Sequence, residues 1–360
     1  MYFFYASIIF FFQTLTLQPR QSYKTISAVF LIFIITITSA IRWRTGTDWK
    51  SYHDFFYSGG GLSSYLSYYH FEYGFKIVNW IFFSVFGSYS IFLFALTFAV
   101  ITLKIRTVIS KPYVLLCFLA IFGVSMGDLF PTRQALAISL VFLGAFNLSK
   151  SNFKSFFLIV ILAAFFHKTA IIALFLFFVR SLSVLQCIFF SVVIFFVTLG
   201  TIYLVTDYGL PMFPVSINTQ ISYYLNNFDT KFSYFSISYK AGLLLYTLLA
   251  VYKVKDYLDN FELLSIKAFL IGLILSPLYE VFISSEFNRL SIFYTSFEII
   301  AIPALFYYYF IKRMTLPAAM VFLFIIFGFY AARFYFHYIN YPDLYYPFET
   351  IFDSSFREVY

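Results

Sequence analysis

The feature that most constrains this chain is a succession of long apolar runs, separated by short connections that carry basic residues. The hydrocarbon core of a bilayer is about 30 Å thick, and a helix of about 20 apolar residues crosses it. Only 11% of the 360 residues are charged, whereas soluble domains use roughly a quarter of their residues as charged surface. We therefore predict an all-α polytopic integral membrane protein with a single transmembrane domain over residues 1–360.

The apolar runs predict about 11 to 14 membrane helices, some of them short or re-entrant. The predicted helices span 2–17, 24–41, 72–87, 89–103, 113–127, 134–147, 156–166, 169–179, 184–206, 240–253, 262–283, 291–311 and 315–333. The first run has no basic segment before it and no small-residue cleavage site, so we expect it to stay as a membrane helix. Three larger segments, 42–71, 207–238 and 334–360, lie outside the membrane in this interpretation.

The charges of the connections predict which side of the membrane each connection faces. Basic residues are concentrated in alternate connections, and the positive-inside rule assigns these connections to the cytoplasm. The residues concerned are Lys104, Arg106, Lys111, Lys150, Lys154, Arg180, Lys253, Lys255, Lys312 and Arg313. The segments 42–71 and 207–238 are then extracytoplasmic loops, and 334–360 is an extracytoplasmic tail.

Two segments decide whether this alternation holds. The run 153–180 could form one long helix, but two short helices that meet at His167 keep the basic connections on one side. We interpret 72–87 as re-entrant or interfacial, because the basic connection at 20–24 is assigned to the inside and 42–71 to the outside. If 72–87 crossed the membrane completely, 42–71 would be cytoplasmic instead.

The sequence argues against several classes of function. The net charge of +8 comes from basic residues scattered in ones, twos and threes, which indicates membrane topology and not nucleic-acid binding. Cys117 and Cys187 lie far apart in apolar runs, so they predict no disulfide framework. The chain has no Walker loop, dinucleotide glycine motif, HExxH motif or Cys/His metal spacing. We therefore expect no metal and no cofactor.

The densest polar segment follows the second apolar run. Arg44, Gly46, Asp48 and Tyr52 lie there just beyond a helix end, where cations can meet lipid headgroups or a diphosphate. Guanidinium groups bind phosphate oxygens in a bidentate manner, so this segment is a candidate site for a lipid diphosphate. The alternative is a headgroup anchor with its tryptophans at the membrane interface.

Polar residues also interrupt later apolar runs, where charged side chains are costly and usually functional. Glu72 opens one run, Arg133 and Gln134 open another, and His167 and Lys168 separate two more. A carboxylate or an imidazole there could act as a general base, and a cation could bind phosphate. The structural alternatives are a carboxylate at a positive helix end, a snorkelling or ion-paired arginine and a satisfied histidine.

Arg289 repeats the pattern of Arg133, because it precedes a predicted helix on the outer side. An arginine at membrane depth needs a counterion or an anionic substrate. Glu280 and Glu298 lie near or inside their helices, and we expect them to neutralise these arginines.

At these residues the chain resembles the EpsG-like/Wzy family of exopolysaccharide and O-antigen polymerases. The motifs occur in the family's order through the first half of the chain, and the second half matches mainly through Arg289 and the terminal Tyr346-Pro347-Phe348. The motifs of the first half are Arg44-x-Gly46-Thr47-Asp48-x3-Tyr52, Glu72-x-Gly74 with Asn79, Arg133-Gln134-Ala135-Leu136-Ala137 and Phe166-His167-Lys168-Thr169-Ala170.

The resemblance implies a metal-independent glycosyltransferase that works on the outer face of the bacterial inner membrane. Such proteins transfer a growing glycan from undecaprenyl diphosphate to a sugar hydroxyl of an incoming lipid-linked repeat unit. The residues would be Arg44, Arg133, Lys168 and Arg289 for the diphosphate, Asp48, Glu72 and His167 for catalysis, and Gly46, Tyr52 and Gln134 as support. The implied partners are the lipid-linked oligosaccharide, membrane lipids, a chain-length regulator and a flippase.

Two other functions share parts of this pattern. A ligase or another lipid-linked glycosyltransferase would use the arginines but attach the glycan to a different acceptor. A flippase or transporter of lipid-linked oligosaccharide often has two similar halves around a midplane site. No internal repeat is visible in this sequence, and the candidate residues lie towards one face. These observations favour the polymerase.

Overall fold

The structure, a computed structural model, describes residues 2–46, 48–68, 70–125, 132–208, 234–282, 288–340, 342, 345–346 and 348–353. Over these residues the regular structure is helical, apart from one pair of two-residue strands. The prediction of an all-α polytopic membrane protein is confirmed. The predicted outer segment 207–238 lies almost entirely outside the described residues.

The elements are numbered here in chain order. The first eight helices are α1 (Tyr2–Gln13), α2 (Gln21–Ala40), α3 (Trp49–Phe56), α4 (Leu62–Ser67), α5 (Tyr73–Phe86), α6 (Tyr89–Arg106), α7 (Val114–Ser125) and α8 (Arg133–Ser149). The next eight are α9 (Phe153–Phe166), α10 (Leu176–Val179), α11 (Val184–Tyr208), α12 (Tyr234–Val254), α13 (Asn260–Phe282), α14 (Asn288–Thr295), α15 (Glu298–Tyr309) and α16 (Leu316–Asn340). Short 3-10 helices occupy Thr14–Leu17, Lys168–Phe175, Lys255–Tyr257 and Ile311–Arg313. The strands are β1 (Arg42–Trp43) and β2 (Glu349–Thr350).

Most helices begin and end near the predicted boundaries, and local capping explains several of these ends. The side chains of Ser88, Thr132 and Asn152 each accept a hydrogen bond from a first-turn backbone N–H, which fixes the starts of α6, α8 and α9. The predicted break of the run 153–180 is confirmed, since α9 ends at Phe166 and His167 is extended with φ −154° and ψ 110°.

One sequence prediction needs correction. The predicted helix 291–311 is divided, because a turn at residues 296–297 separates α14 from α15. The segment 42–71, predicted to be an extracytoplasmic loop, contains the short helices α3 and α4, and its side of the membrane stays a prediction. α3 forms because its apolar side chains share one face, which packs inward; the buried members are Trp49, Tyr52, Phe55 and Phe56.

The core of the bundle is built around α7. Every residue from Val114 to Gly123 is buried, and α7 packs against α1, α2, α15 and α16. Helices at the periphery expose large apolar side chains instead, for example Leu158, Leu185 and Phe324. Such exposed apolar surface suits contact with lipid tails and not with water.

Among the residues that the structure describes, six segments are long and apolar enough to cross a bilayer by length and composition. They are Gln21–Ala40, Tyr89–Arg106, Ile237–Tyr257, Asn260–Tyr279, Asn288–Arg313 and Leu316–Asn340. The other apolar helices are shorter, between 10 and 17 residues. A mixture of long and short apolar helices agrees with the prediction that some segments are short or re-entrant.

The connections that were predicted to be cytoplasmic contact one another. The side-chain amide of Gln21 donates to the backbone carbonyls of Ile109 and Lys111, both at 3.1 Å. The ammonium of Lys111 pairs with Asp259 at 2.6 Å and with Glu262 at 3.0 Å. These contacts gather the connections after α1, α6 and α12 at one end of the bundle.

α5 is short for a helix that crosses the membrane, and its re-entrant or interfacial position stays a prediction. Its 14 residues span about 21 Å, which is less than the hydrocarbon core. Both of its ends contact α3, since Phe75 lies 6.3 Å from Phe55 and Phe83 lies 5.7 Å from Phe56 between ring centroids. The first residue of α6, Tyr89, also lies 5.5 Å from Phe56. α5 therefore runs alongside α3 instead of leaving it for the opposite end.

Close backbone approach holds α13 against α14. A Cβ at Gly272 would lie 2.5 Å from the backbone nitrogen of Thr295 and 2.8 Å from the carbonyl carbon of Tyr294. Backbone atoms cannot turn away as a side chain can, so only glycine fits at this crossing. Small residues serve helix packing in this way in membranes, where no hydrophobic force draws helices together.

We expect Gly272→Ala to lower the midpoint of thermal unfolding of the detergent-solubilised protein. Forcing an extra methyl group into a packed contact costs typically about 1–3 kcal/mol. The matched control is Gly242→Ala in α12, because no atom lies within 4 Å of its added Cβ and alanine favours a helix over glycine. Equal midpoints for the two variants would contradict this account of the contact between α13 and α14.

Candidate functional site

Three helix ends meet at one place and bring three predicted residues into contact. Glu72 is the N-cap residue of α5, Arg133 is the first residue of α8 and His167 is the C-cap residue of α9. We call these three residues the Glu72 cluster. They are separated by long stretches of chain, and the packing of α5 and α8 against α9 brings them together.

Local sequence determines this meeting point. Thr132 caps α8 by accepting a hydrogen bond from the Ala135 backbone at 3.1 Å, so α8 begins at Arg133. A Cβ at Gly74 would lie 2.8 Å from the carbonyl oxygen of Phe165. The glycine two residues after Glu72 therefore lets the first turn of α5 press against the end of α9, next to His167.

Glu72 is the centre of the contacts within the cluster. Its carboxylate forms an ion pair with the guanidinium of Arg133, and its Oε1 lies 3.2 Å from Nδ1 of His167. The same oxygen accepts a hydrogen bond from the backbone N–H of Lys168 at 3.4 Å. Arg133 Nη1 also donates to the backbone carbonyl of His70 at 3.0 Å. Both oxygens of Glu72 are thus engaged.

Aromatic side chains from α3 and the following segment hold Arg133 in place. Its guanidinium lies 5.0 Å from the ring centroid of Phe71, a cation–π contact. The hydroxyl of Tyr52 lies close enough to Arg133 for the guanidinium charge to act on it. The Tyr52 ring packs on Phe71 and Phe75 at 5.5 and 5.2 Å. Burial, with the charge of Asp48, raises the pKa of Tyr52 to about 12, so the hydroxyl stays protonated.

The cluster keeps the Glu72 carboxyl ionised. Burial raises its pKa, but the hydrogen bond to His167 and the charges of Arg133 and His167 outweigh burial and lower the pKa from 4.5 to about 2. The N-terminal end of α5 also favours a negative charge at this position. Glu72 is therefore a fixed anion at neutral pH.

The segment with Arg44 and Asp48 directly precedes α3. Both side chains are exposed, and the charge of Arg44 acts on His53 while that of Asp48 acts on Tyr52. Arg44 has a left-handed backbone with φ 47°, and Gly46 has φ 99°. A left-handed conformation disfavours an arginine by about 1–2 kcal/mol, so the surrounding contacts must hold it.

Other predicted residues lie around the cluster. Arg289 is exposed in the first turn of α14 and precedes Phe293 by four residues, so the two share a helix face. The Phe293 ring lies 6.2 Å from the His167 ring, which places this face near the cluster. Lys168 has an exposed side chain. The amide nitrogen of Gln134 is buried without a hydrogen-bond partner among the described residues.

A second polar network was not predicted. Glu298 in α15 forms an ion pair with Arg333 in α16, and Tyr239 in α12 contacts both. Glu298 was expected to neutralise Arg133 or Arg289, but its carboxylate binds Arg333, and Glu72 supplies the counterion of Arg133. An arginine inside the last apolar run is the sequence signal that could have indicated this network.

The part of the chain that the structure describes contains no cluster of side chains that could bind a metal ion. No group of three or more His, Cys, Asp or Glu side chains lies together there. Asp128, a possible partner of Arg133, lies outside the described residues, as does Pro347 of the terminal Tyr-Pro-Phe motif.

We expect the contribution of Glu72 to stability to depend on pH. Its pKa is lower in the fold than its ordinary 4.5, so its contribution is complete above that pH and is lost as the pH falls towards about 2. Glu72→Gln should lower the unfolding midpoint near neutral pH by an amount equivalent to at most about 3 kcal/mol, and the difference from the wild type should shrink at about pH 3.

The matched control for this prediction is Asp54→Asn. The Asp54 side chain is 62% exposed, and exposed ion pairs contribute little. Its effect on the unfolding midpoint should be small at every pH. A difference for Glu72→Gln that stays constant from neutral to acidic pH would contradict the ion pair.

Comparison with known proteins agrees with the motifs. The family model of the EpsG family matches residues 25–350. This range contains the Glu72 cluster and both strands. No curated protein and no solved structure gives a significant match. Because the family match covers most of the chain and the helices are long and apolar enough to cross a bilayer, this chain is a multi-pass membrane protein that belongs to the EpsG family.

Proposed function

We propose that this protein is a polysaccharide polymerase that transfers a growing glycan from undecaprenyl diphosphate to a sugar hydroxyl of an incoming lipid-linked repeat unit. Membership of the EpsG family supports a polymerase role. The observation that carries the finer proposal is the Glu72 cluster, in which an oriented arginine and an oriented histidine share one carboxylate. The cluster lies at helix ends, where the head group of a membrane-embedded lipid can reach it.

The leaving group is a diphosphate, so negative charge develops on it as the bond to the glycan breaks. Arg133, held by Glu72 and Phe71, is pre-oriented to meet that charge. Glu72 neutralises part of the positive charge of Arg133. The exposed cations Lys168, Arg289 and Arg44 supply further positive charge for the diphosphate. Charged side chains fixed before the reaction stabilise the transition state without reorganisation. We propose that they do this without a metal ion.

The acceptor hydroxyl must lose a proton when the new glycosidic bond forms. A carboxylate with a pKa of about 2 is a weak base, since an effective general base has a pKa near the working pH. His167 faces Glu72 through Nδ1, and this leaves Nε2 for the acceptor. A carboxylate that orients an imidazole in this way is a recurring arrangement in base catalysis. We therefore propose that Nε2 of His167 accepts the proton of the acceptor hydroxyl and that Glu72 orients the imidazole.

The reaction then balances within the site. The electron pair of the bond between the sugar carbon and the phosphate oxygen leaves with the diphosphate. The acceptor oxygen forms the new bond to that sugar carbon, and its proton passes to His167. Tyr52 and Gln134 are supporting groups next to Arg133.

The proposed location is the inner membrane of a bacterium, with the Glu72 cluster on the outer face. The basic connections contact one another at one end of the bundle, and basic connections face the cytoplasm. A flippase would then supply the lipid-linked repeat units to the outer face, and a chain-length regulator would be the natural second partner.

We expect Arg133→Ala and His167→Ala each to abolish long glycan in a deletion strain complemented with the variant. Loss of positioned charge or of a general base costs at least about 100-fold in rate. The measurement is a glycan gel together with the amount of inserted protein in the membrane. The matched control is Arg180→Ala, because Arg180 follows α10 and donates to Ser151, which precedes α9, at 2.6 Å and therefore lies at the opposite end of α9 from His167.

The deletion strain also separates the alternative functions. A polymerase deletion leaves single repeat units on their acceptor, a flippase deletion leaves none at the surface, and a ligase deletion leaves polymer on the carrier lipid. Normal glycan length in both Arg133→Ala and His167→Ala would show that the Glu72 cluster is not part of the active site.

A second prediction distinguishes the candidate bases in a purified system with lipid-linked substrate. His167→Ala should lower kcat by about 10²- to 10⁴-fold, the usual contribution of a general base. Glu72→Gln should lower kcat less, because it misorients the base without removing it. Asp48→Asn should change kcat least, because Asp48 is exposed and is not a member of the Glu72 cluster. The opposite order, with Asp48→Asn the most damaging, would move the base to Asp48.

A further inference from the structure

The end of the chain pairs with the segment that carries Arg44. β1 and β2 are antiparallel, with Arg42 opposite Thr350 and Trp43 opposite Glu349. Beyond the strands, the backbone N–H of Ile351 donates to the carbonyl of Ile41 at 2.9 Å. Residues about 300 positions apart in the sequence therefore form one small sheet directly before the Arg44 turn.

Thr45 connects this sheet to the turn at Arg44. Its hydroxyl donates to the backbone carbonyl of Trp43 at 2.9 Å and accepts from the backbone N–H of Glu349 at 3.0 Å. Thr45 is 2% exposed, while Arg44 between these contacts is exposed. The backbone on both sides of Arg44 is thus fixed, and the arginine side chain projects outward.

The terminal segment is itself anchored to the bundle. The hydroxyl of Tyr2 in α1 donates to the backbone carbonyl of Tyr345 at 3.0 Å. The hydroxyl of Tyr345 lies 2.6 Å from Nδ1 of His337 in α16. The Tyr2 ring also packs edge-on against Phe348 at 5.6 Å. Contacts with α1 and α16 therefore fix the terminal segment in place, and this segment pairs with the strand that precedes the Arg44 turn.

We propose that Thr45 and the terminal strand β2 are positioning elements, which hold Arg44 in its left-handed conformation so that its guanidinium meets the diphosphate of the lipid-linked substrate. This inference rests on the proposed function. The backbone of an arginine prefers a negative φ, so release of these contacts lets residue 44 relax and turns its side chain away. A long flexible cation binds a phosphate better when its direction is set before binding.

The first test measures the position of residue 44 without any activity. A spin label is attached to Arg44→Cys after Cys117 and Cys187, both fully buried, are replaced by alanine. Thr45→Val should increase the mobility of the label, because valine has nearly the volume of threonine but makes neither of the two hydrogen bonds. Thr45→Ser, which keeps the hydroxyl, should leave the spectrum unchanged.

A second variant keeps the test valid if Thr45→Val does not accumulate. Glu349→Pro removes the backbone N–H that donates to Thr45, so it should mobilise the label as Thr45→Val does. An unchanged spectrum in both variants would overturn the positioning role.

The second test links position to activity in the full-length protein. Thr45→Val should slow glycan polymerisation about tenfold, the scale for a buried donor that loses its partner, and Thr45→Ser should restore it. If Thr45 acts through Arg44, the double variant with Arg44→Ala should be no slower than Arg44→Ala alone. Additive losses would overturn the inference. A mobile label combined with normal glycan in Arg44→Ala would instead overturn the use of Arg44 in the proposed function.

Discussion

The ion pair between Glu72 and Arg133 is the interaction on which the rest of the site depends. An arginine at the first position of α8 lies at the positive end of that helix, where a second positive charge is disfavoured. Glu72 lies at the positive end of α5, where a negative charge is favoured, and its carboxylate also binds His167. One carboxylate thus makes two otherwise costly side chains tolerable at the ends of apolar helices.

Two of the polar networks among the described residues neutralise an arginine in different places. Arg333 lies inside the long apolar helix α16 and pairs with Glu298 at the start of α15, with Tyr239 beside them. Arg133 and Glu72 pair where helices end. A side chain inside a spanning helix meets other helices or lipid tails, whereas a side chain at a helix end meets the head-group region. The position of the Glu72 cluster therefore suits a reaction at a lipid diphosphate better than that of the inner network.

The sequence predicts the features that depend on local composition. The apolar runs predict the helices, and His167 predicts the break after α9, because a polar pair interrupts an otherwise continuous run. Glu72, Arg133 and His167 could be chosen from the sequence as candidate site residues, because each lies at the beginning or end of an apolar run. The pairing of Glu298 with Arg333 could not be predicted, because it depends on how α15 and α16 are rotated. The β1–β2 pair could not be predicted either, since two-residue strands carry no periodic signal.

The directions of the three helices complete the electrostatics of the site. The N-terminal ends of α5 and α8 point backbone N–H groups and partial positive charge at the cluster, and phosphate groups bind at such ends. The C-terminal end of α9 has the opposite partial charge, and His167 caps it. In the proposed reaction a diphosphate would therefore be favoured beside Arg133, while the positive charge that forms on the imidazole as it takes a proton would be favoured at the end of α9. The proposed leaving group and base would thus lie at different helix ends, although Arg133 and His167 contact the same carboxylate.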